Sequence, residues 1–166
     1  GERQKKFDAT GEPQERREAP PEERSKAAAQ LPSAEQMAPA LQAYAGLRKA
    51  LFGGEPKPAQ KAAEKLRKTA RELRSKLEGK DGGQPVAGRL SGLEEKLKEI
   101  AAAEDVSAQR AAFSEASDAF TALLRQIGIP PGQVVHRFHC PMAFDGSGAY
   151  WLQLEGKTQN PYMGAR

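Results

Sequence analysis

Four apolar stripes at helical spacing constrain this chain most. Met37, Leu41, Tyr44, Leu47 and Leu51 recur every three or four residues, which is the period of one helix face. The same rhythm returns in Ala62, Leu66, Ala70, Leu73 and Leu77, then in Val86, Leu90, Leu93, Leu97 and Ile100. It returns a fourth time in Phe113, Ala116, Phe120, Leu123 and Ile127. Between the stripes stand Gly53-Gly54, the Gly79–Gly83 segment, and finally Gly128, Pro130 and Pro131, all breakers of helix. Each stripe belongs to a helix too polar to persist alone, so the four must bury against one another. Short connections make neighbouring helices antiparallel. The sequence therefore predicts an all-α fold: an antiparallel four-helix bundle with a small C-terminal β-hairpin or irregular aromatic cap.

The helix ends have their own signals. Ser33 followed by Gln36 is a capping-box pair, and Pro39 falls in the first turns, where it delays the regular helix. The second helix is expected over 58–77, and Ser107 is the expected cap of the fourth. After Pro131 the texture changes. Residues 133–140 and 149–154 are rich in Val, Phe, Tyr and Trp and read as short strands, joined through the turn residues Asp145-Gly146-Ser147-Gly148.

Three regions follow. Residues 1–32 hold seven acidic and seven basic residues with four prolines, and only Phe7 and Leu31 are large and apolar. That composition cannot offset the entropy of ordering and predicts a disordered linker. Residues 33–131 make the bundle, and residues 132–166 make a Cys/Met/His/aromatic cap packed on it. No apolar run is long enough to span a membrane, and no secretory leader is visible. The chain opens on Gly rather than Met and is read as a fragment of a longer protein.

Charge says little about partners. The net charge is +4, and residues 57–80 carry nine Lys/Arg against three Glu. No aromatic side chain interleaves with those cations, so a nucleic-acid stacking platform is missing and a solvated helix face is expected. No Gly-rich phosphate loop precedes a helix, and the carboxylates sit beside matching cations on helix surfaces, as surface pairs do. No catalytic constellation stands out, and the chain is not expected to be an enzyme.

The chemistry concentrates at the C-terminus. Both histidines, the only cysteine, two of three methionines and five of ten aromatic residues fall in residues 136–166. Soft sulfur donors with imidazoles are the ligand set of Cu(I) or Ag(I), with Zn(II) behind them. Cys140 and Met142 are two residues apart, and in an extended segment they face the same way. Pro141 favours extension at Cys140. His136 shares that face along a regular strand, whereas His139 points to the other. A single cysteine excludes an internal disulfide, and the absence of a second Cys leaves no closed zinc site.

His139-Cys140-Pro141-Met142-Ala143-Phe144, Gly148-Ala149-Tyr150-Trp151-Leu152-Gln153 and Asn160-Pro161-Tyr162-Met163-Gly164 together resemble one domain family. It is the helical, otherwise uncharacterised domain appended to periplasmic adaptor subunits of RND-type heavy-metal efflux systems (CusB-like), also found alone in secreted proteins. The resemblance covers roughly residues 34–166 and is specific over 139–164. It implies a periplasmic location, a part in copper or silver handling, and metal ligands at Cys140 and Met142, with Met163 a further donor. Implied partners are the metal ion, RND efflux components and other periplasmic metal carriers, with no nucleic acid and no membrane insertion. Members of that family continue to a Met-Leu-x-Cys-Gly stretch, whereas this sequence stops at Arg166. With a second cysteine supplied by the longer protein the resemblance implies a dithiolate or a disulfide; without it, Met163, His136 or His139 completes the coordination. The rival reading is a structural interaction module of an envelope protein, in which Cys140, Met142 and Trp151 merely seal the open end of the bundle.

Overall fold

The computed structural model describes residues 31–165. The expected linker over 1–32 lies outside them, apart from Leu31, which packs on the core, and Pro32, which is buried. Four helices follow: α1 Ala38–Gly53, α2 Pro56–Ser75, α3 Gln84–Ala102 and α4 Val106–Ile127. Two strands end the fold, β1 His136–Cys140 and β2 Ala149–Gln153. The all-α bundle with a small β cap is thus the observed architecture.

The capping box forms, and it starts a 3-10 turn over Ala34–Met37. Ser33 N–H donates to Gln36 Oε1 at 2.8 Å, and Gln36 N–H donates to Ser33 Oγ at 3.4 Å. Pro39 then occupies the first turn of α1, where its missing N–H would have had no helical partner. The cap of α4 is Asp105 rather than Ser107. Its Oδ1 accepts from Ala108 N–H at 2.9 Å, and its carboxylate sits at the positive end of the helix dipole. Ser107 lies inside the first turn.

Each helix packs on its neighbour in sequence: α1 on α2, α2 on α3, α3 on α4. All four predicted stripes lie in or against one core, with Leu47, Leu51, Leu97, Phe113 and Leu123 fully buried. Between α2 and α3 the buried Glu94 accepts from Arg74 through both carboxylate oxygens and lies 3.5 Å from Arg71. Arg67 pairs with Glu64 on the surface of α2 at 3.4 Å, so three of the nine cations in residues 57–80 are tied to carboxylates and do not simply face solvent.

The ring of helices does not close on itself. α1 and α4 touch little directly, and β2 lies across their seam, mostly on α4. Tyr44, midway along α1, and Ser117, midway along α4, meet there at 2.7 Å. The cap therefore flanks the bundle at mid-length instead of covering an end.

Candidate functional site

β1 and β2 form an antiparallel hairpin in the register His136↔Gln153, Phe138↔Trp151 and Cys140↔Ala149. The connection between them is tight. Phe144 and Asp145 both take left-handed backbone angles, at φ 53° and 55°. Gly148 N–H donates to Ala143 O at 2.9 Å. Gly148 has φ 80°, in the left-handed region that favours glycine, and a Cβ there would lie 2.7 Å from His139 Nε2, so the histidine ring would have to swing away.

This geometry places the five candidate ligands unequally. Cys140 ends β1 and is 5% exposed, beside Ala149 and Ala143 in the core. Met142 lies in the turn and is 71% exposed. The shared face expected for Cys140 and Met142 is therefore not kept: β1 stops at Cys140, and from Pro141 the chain turns, which ends the two-residue alternation. His139 is exposed on the other face of β1, its ring 4.4 Å from that of Tyr150. His136 is exposed at the far end of the strand, on the face shared with Phe138 and Cys140. Met163 is half-buried against the core. Among the described residues, no three His, Cys, Asp or Glu side chains converge as a metal-holding group.

Aromatic contacts fix the hairpin in place. Trp151 is buried, stacked on Phe138 at 5.2 Å and edge-on to Tyr162 at 6.2 Å. Phe144 reaches Tyr162, 5.7 Å away, rather than Trp151 directly. Tyr162 in turn meets Phe113 of α4 at 5.8 Å.

Polar side chains do as much. Tyr44 Oη accepts from Leu152 N–H at 2.9 Å while bonded to Ser117. Burial pushes the Tyr44 phenol up to about 12, and burial likewise raises Tyr162. Tyr162 donates its hydroxyl proton to Tyr150 O. Buried Gln153 accepts from Trp151 Nε1 and Gln159 N–H and donates to Glu155 O and Lys157 O. The residues after β2 are strapped to the helices by two arginines. Arg110 donates to Pro161 O at 2.7 Å and Leu51 O at 2.9 Å, and Arg48 donates to Gln159 Oε1 at 3.0 Å. Burial lowers both guanidinium pKa values.

The Asn-Pro-Tyr-Met-Gly signature has a structural reason here. Asn160 Oδ1 accepts from Tyr162 N–H, and Asn160 O accepts from Gly164 N–H, so the segment folds back on itself. Gly164, at φ 73°, passes so close to Arg110 that a Cβ would come within 2.9 Å of Nη2. Sequence patterning misses Tyr44, Ser117, Gln153, Arg48 and Arg110 as supports of the hairpin. Tyr44 registers there only as one member of an apolar stripe. The available signal was polar groups on otherwise apolar helix faces.

No helix is long and apolar enough to cross a membrane among the described residues. No curated protein and no solved structure matches the chain. One family model, for a protein of unknown function (DUF3347), matches residues 40–132, the whole bundle apart from its first turn. That match covers more than half of the sequence, and the chain belongs to the DUF3347 family.

Proposed function

We propose that this chain is a soft-metal domain of the cell envelope, taking Cu(I) or Ag(I) as cargo at the Cys140–Met142 step. The observation that carries the reading is the position of that step at the lip of the fold. A thiol 5% exposed is followed, two residues on, by a thioether 71% exposed. Two residues of chain span at most about 7 Å between Cα atoms, and methionine has three rotatable bonds. The exposed Met142 sulfur therefore has the reach to meet an incoming ion and share it with Cys140. Thiolate supplies charge neutralisation, thioether supplies softness, and His139, His136 or Met163 supplies a third donor. Zinc takes three or four Cys, His or carboxylate ligands, and no three of these converge among the described residues, so Zn(II) ranks behind the monovalent ions.

The resemblance of residues 139–164 to domains on CusB-like adaptors supports a periplasmic setting and RND efflux components as partners. In this reading the domain buffers or presents the ion and catalyses nothing. A second reading, an interaction module without metal, is favoured by a different observation. Among the described residues, the exposed large apolar side chains, Ile129, Val134, Met142, Phe144 and Tyr150, all fall between residues 129 and 150.

Titration with Cu(I) against a competing chelator separates the two. The metal reading expects one tight equivalent, proton release on binding, and loss of tight binding in Cys140→Ser. Wild-type affinity in Cys140→Ser overturns it and leaves the interaction module as the better account.

A further inference from the structure

The two-stranded sheet has one covered edge and one open edge. On β2, Leu152 N–H and Tyr150 C=O point away from β1, because they bond Tyr44 and Tyr162. In an antiparallel pair, residues whose backbone groups point outward on one strand face residues that do the same on the other. The partners of Tyr150 and Leu152 are His139 and Arg137. Their N–H and C=O groups therefore point outward along β1. Among the described residues no hydrogen-bond partner meets them, and no helix packs broadly on β1. Arg137 and His139 are themselves exposed, and Phe138 between them is half-buried.

We propose that this edge takes up an extended acidic peptide as a third strand, with an acid–apolar–acid triplet opposite Arg137, Phe138 and His139. Main-chain bonds to the four outward groups supply register, as in other strand-addition modes. Side chains opposite Arg137 and His139 lie on one face of the enlarged sheet, where one carboxylate pairs with the Arg137 guanidinium and the other accepts a hydrogen bond from the His139 imidazole. The middle side chain lies on the other face and covers the open part of Phe138. Exposed Val134, two residues before β1, extends the apolar surface along the same direction. The Arg137 guanidinium lies 3.7 Å from the Tyr150 ring centroid, which holds it in place. Asp118 of α4 also feels Arg137, but from the bundle side. A second copy of this chain fits poorly: residues 136–140 are His, Arg, Phe, His and Cys, so antiparallel self-pairing of this edge offers Arg137 no anionic partner.

The test uses the whole chain, isotope-labelled, titrated with the capped peptide Glu-Val-Glu-Val-Glu and followed by amide hydrogen exchange. The Arg137 and His139 amides are expected to slow by about tenfold or more at saturation. Lys-Val-Lys-Val-Lys and an alternately N-methylated Glu-Val peptide are expected to leave them unchanged. Arg137→Glu should exchange the preference between the acidic and basic peptides. Binding of the acidic peptide without protection of these two amides overturns the proposal, as does equal protection by the basic peptide. Protection in the free protein together with a dimer in sedimentation also overturns it, because a second copy then occupies the edge.

Discussion

The helices and the C-terminal hairpin are held by different forces. α1 to α4 rest on Leu, Ala, Ile and Phe at helical spacing, a non-directional cohesion that tolerates modest changes of shape. The hairpin and the strap after it rest on directed bonds: Tyr44 to Leu152, Arg110 to Pro161, Arg48 to Gln159, Gln153 to four partners. Yet the two regions share one core, since Trp151, Leu152 and Tyr162 are as buried as the helix stripes. A bundle left open along α1 and α4 is completed by a segment whose own position is fixed by polar bonds together with the aromatic contacts of Trp151 and Tyr162. The sulfur and imidazole donors therefore sit on a scaffold anchored directly to the helices.

The strongest challenge to this comparison is removal of the hairpin. Truncation after Gly132 uncovers Tyr44 and Phe113 and deletes Trp151, Leu152 and Tyr162 from the core. Each such large apolar side chain contributes about 1.5–3 kcal/mol on burial. Loss of a cooperative thermal transition is expected, and a truncated chain that keeps the full-length midpoint would show a self-sufficient bundle. Next in size is a cavity within the helices. Phe120→Ala, where the ring stacks on Tyr44 at 4.8 Å, should cost about 2–5 kcal/mol by denaturant unfolding. A near-neutral result would mean that the α1–α4 seam is not packed as described.

Tyr44→Phe sharpens the comparison, because it removes bonds and leaves the apolar ring. It strands Leu152 N–H and should cost about 1–3 kcal/mol. The phenol also carries a pH signature. Its pKa is raised in the fold, from 10.0 to about 12, so its contribution is fully present below pH 10 and is lost as pH rises through 12. Between those values stability should fall more steeply in the wild type than in Tyr44→Phe, and equal slopes would contradict the buried, protonated phenol. The smallest effect belongs to the turn: Met142→Ile, at a residue 71% exposed, should change stability by less than about 0.5 kcal/mol while weakening Cu(I) binding.

The same contrast explains what was legible in the sequence. Helical stripes are local, so Leu90, Leu93, Leu97 and Ile100 announce their helix and its buried face within a few turns. Ser33 and Gln36 announce a helix start for the same reason. The hairpin strands were legible from their aromatic and β-branched residues and the glycine-rich turn. Its anchoring was not, because Tyr44 and Leu152 lie 108 residues apart and Arg48 and Gln159 lie 111 apart. Nothing local distinguishes a tyrosine that stacks from one whose hydroxyl pins a distant strand. Ser107 was the expected cap, and the backbone instead turns helical two residues earlier, after Asp105. The facing of Cys140 and Met142 depended on where β1 ends, which the pairing with Ala149 determines.

The most direct measurement of the account is an Ag(I) titration of the labelled chain, read at every backbone amide, since this ion is diamagnetic and shares the soft chemistry of Cu(I). One equivalent should shift the amides from His139 to Phe144, with Met163 or His136 following, and should leave α2 and α3 silent. Shifts scattered over the helices, or a silent Cys140, would contradict a scaffold that holds a soft-metal site at the lip of its hairpin.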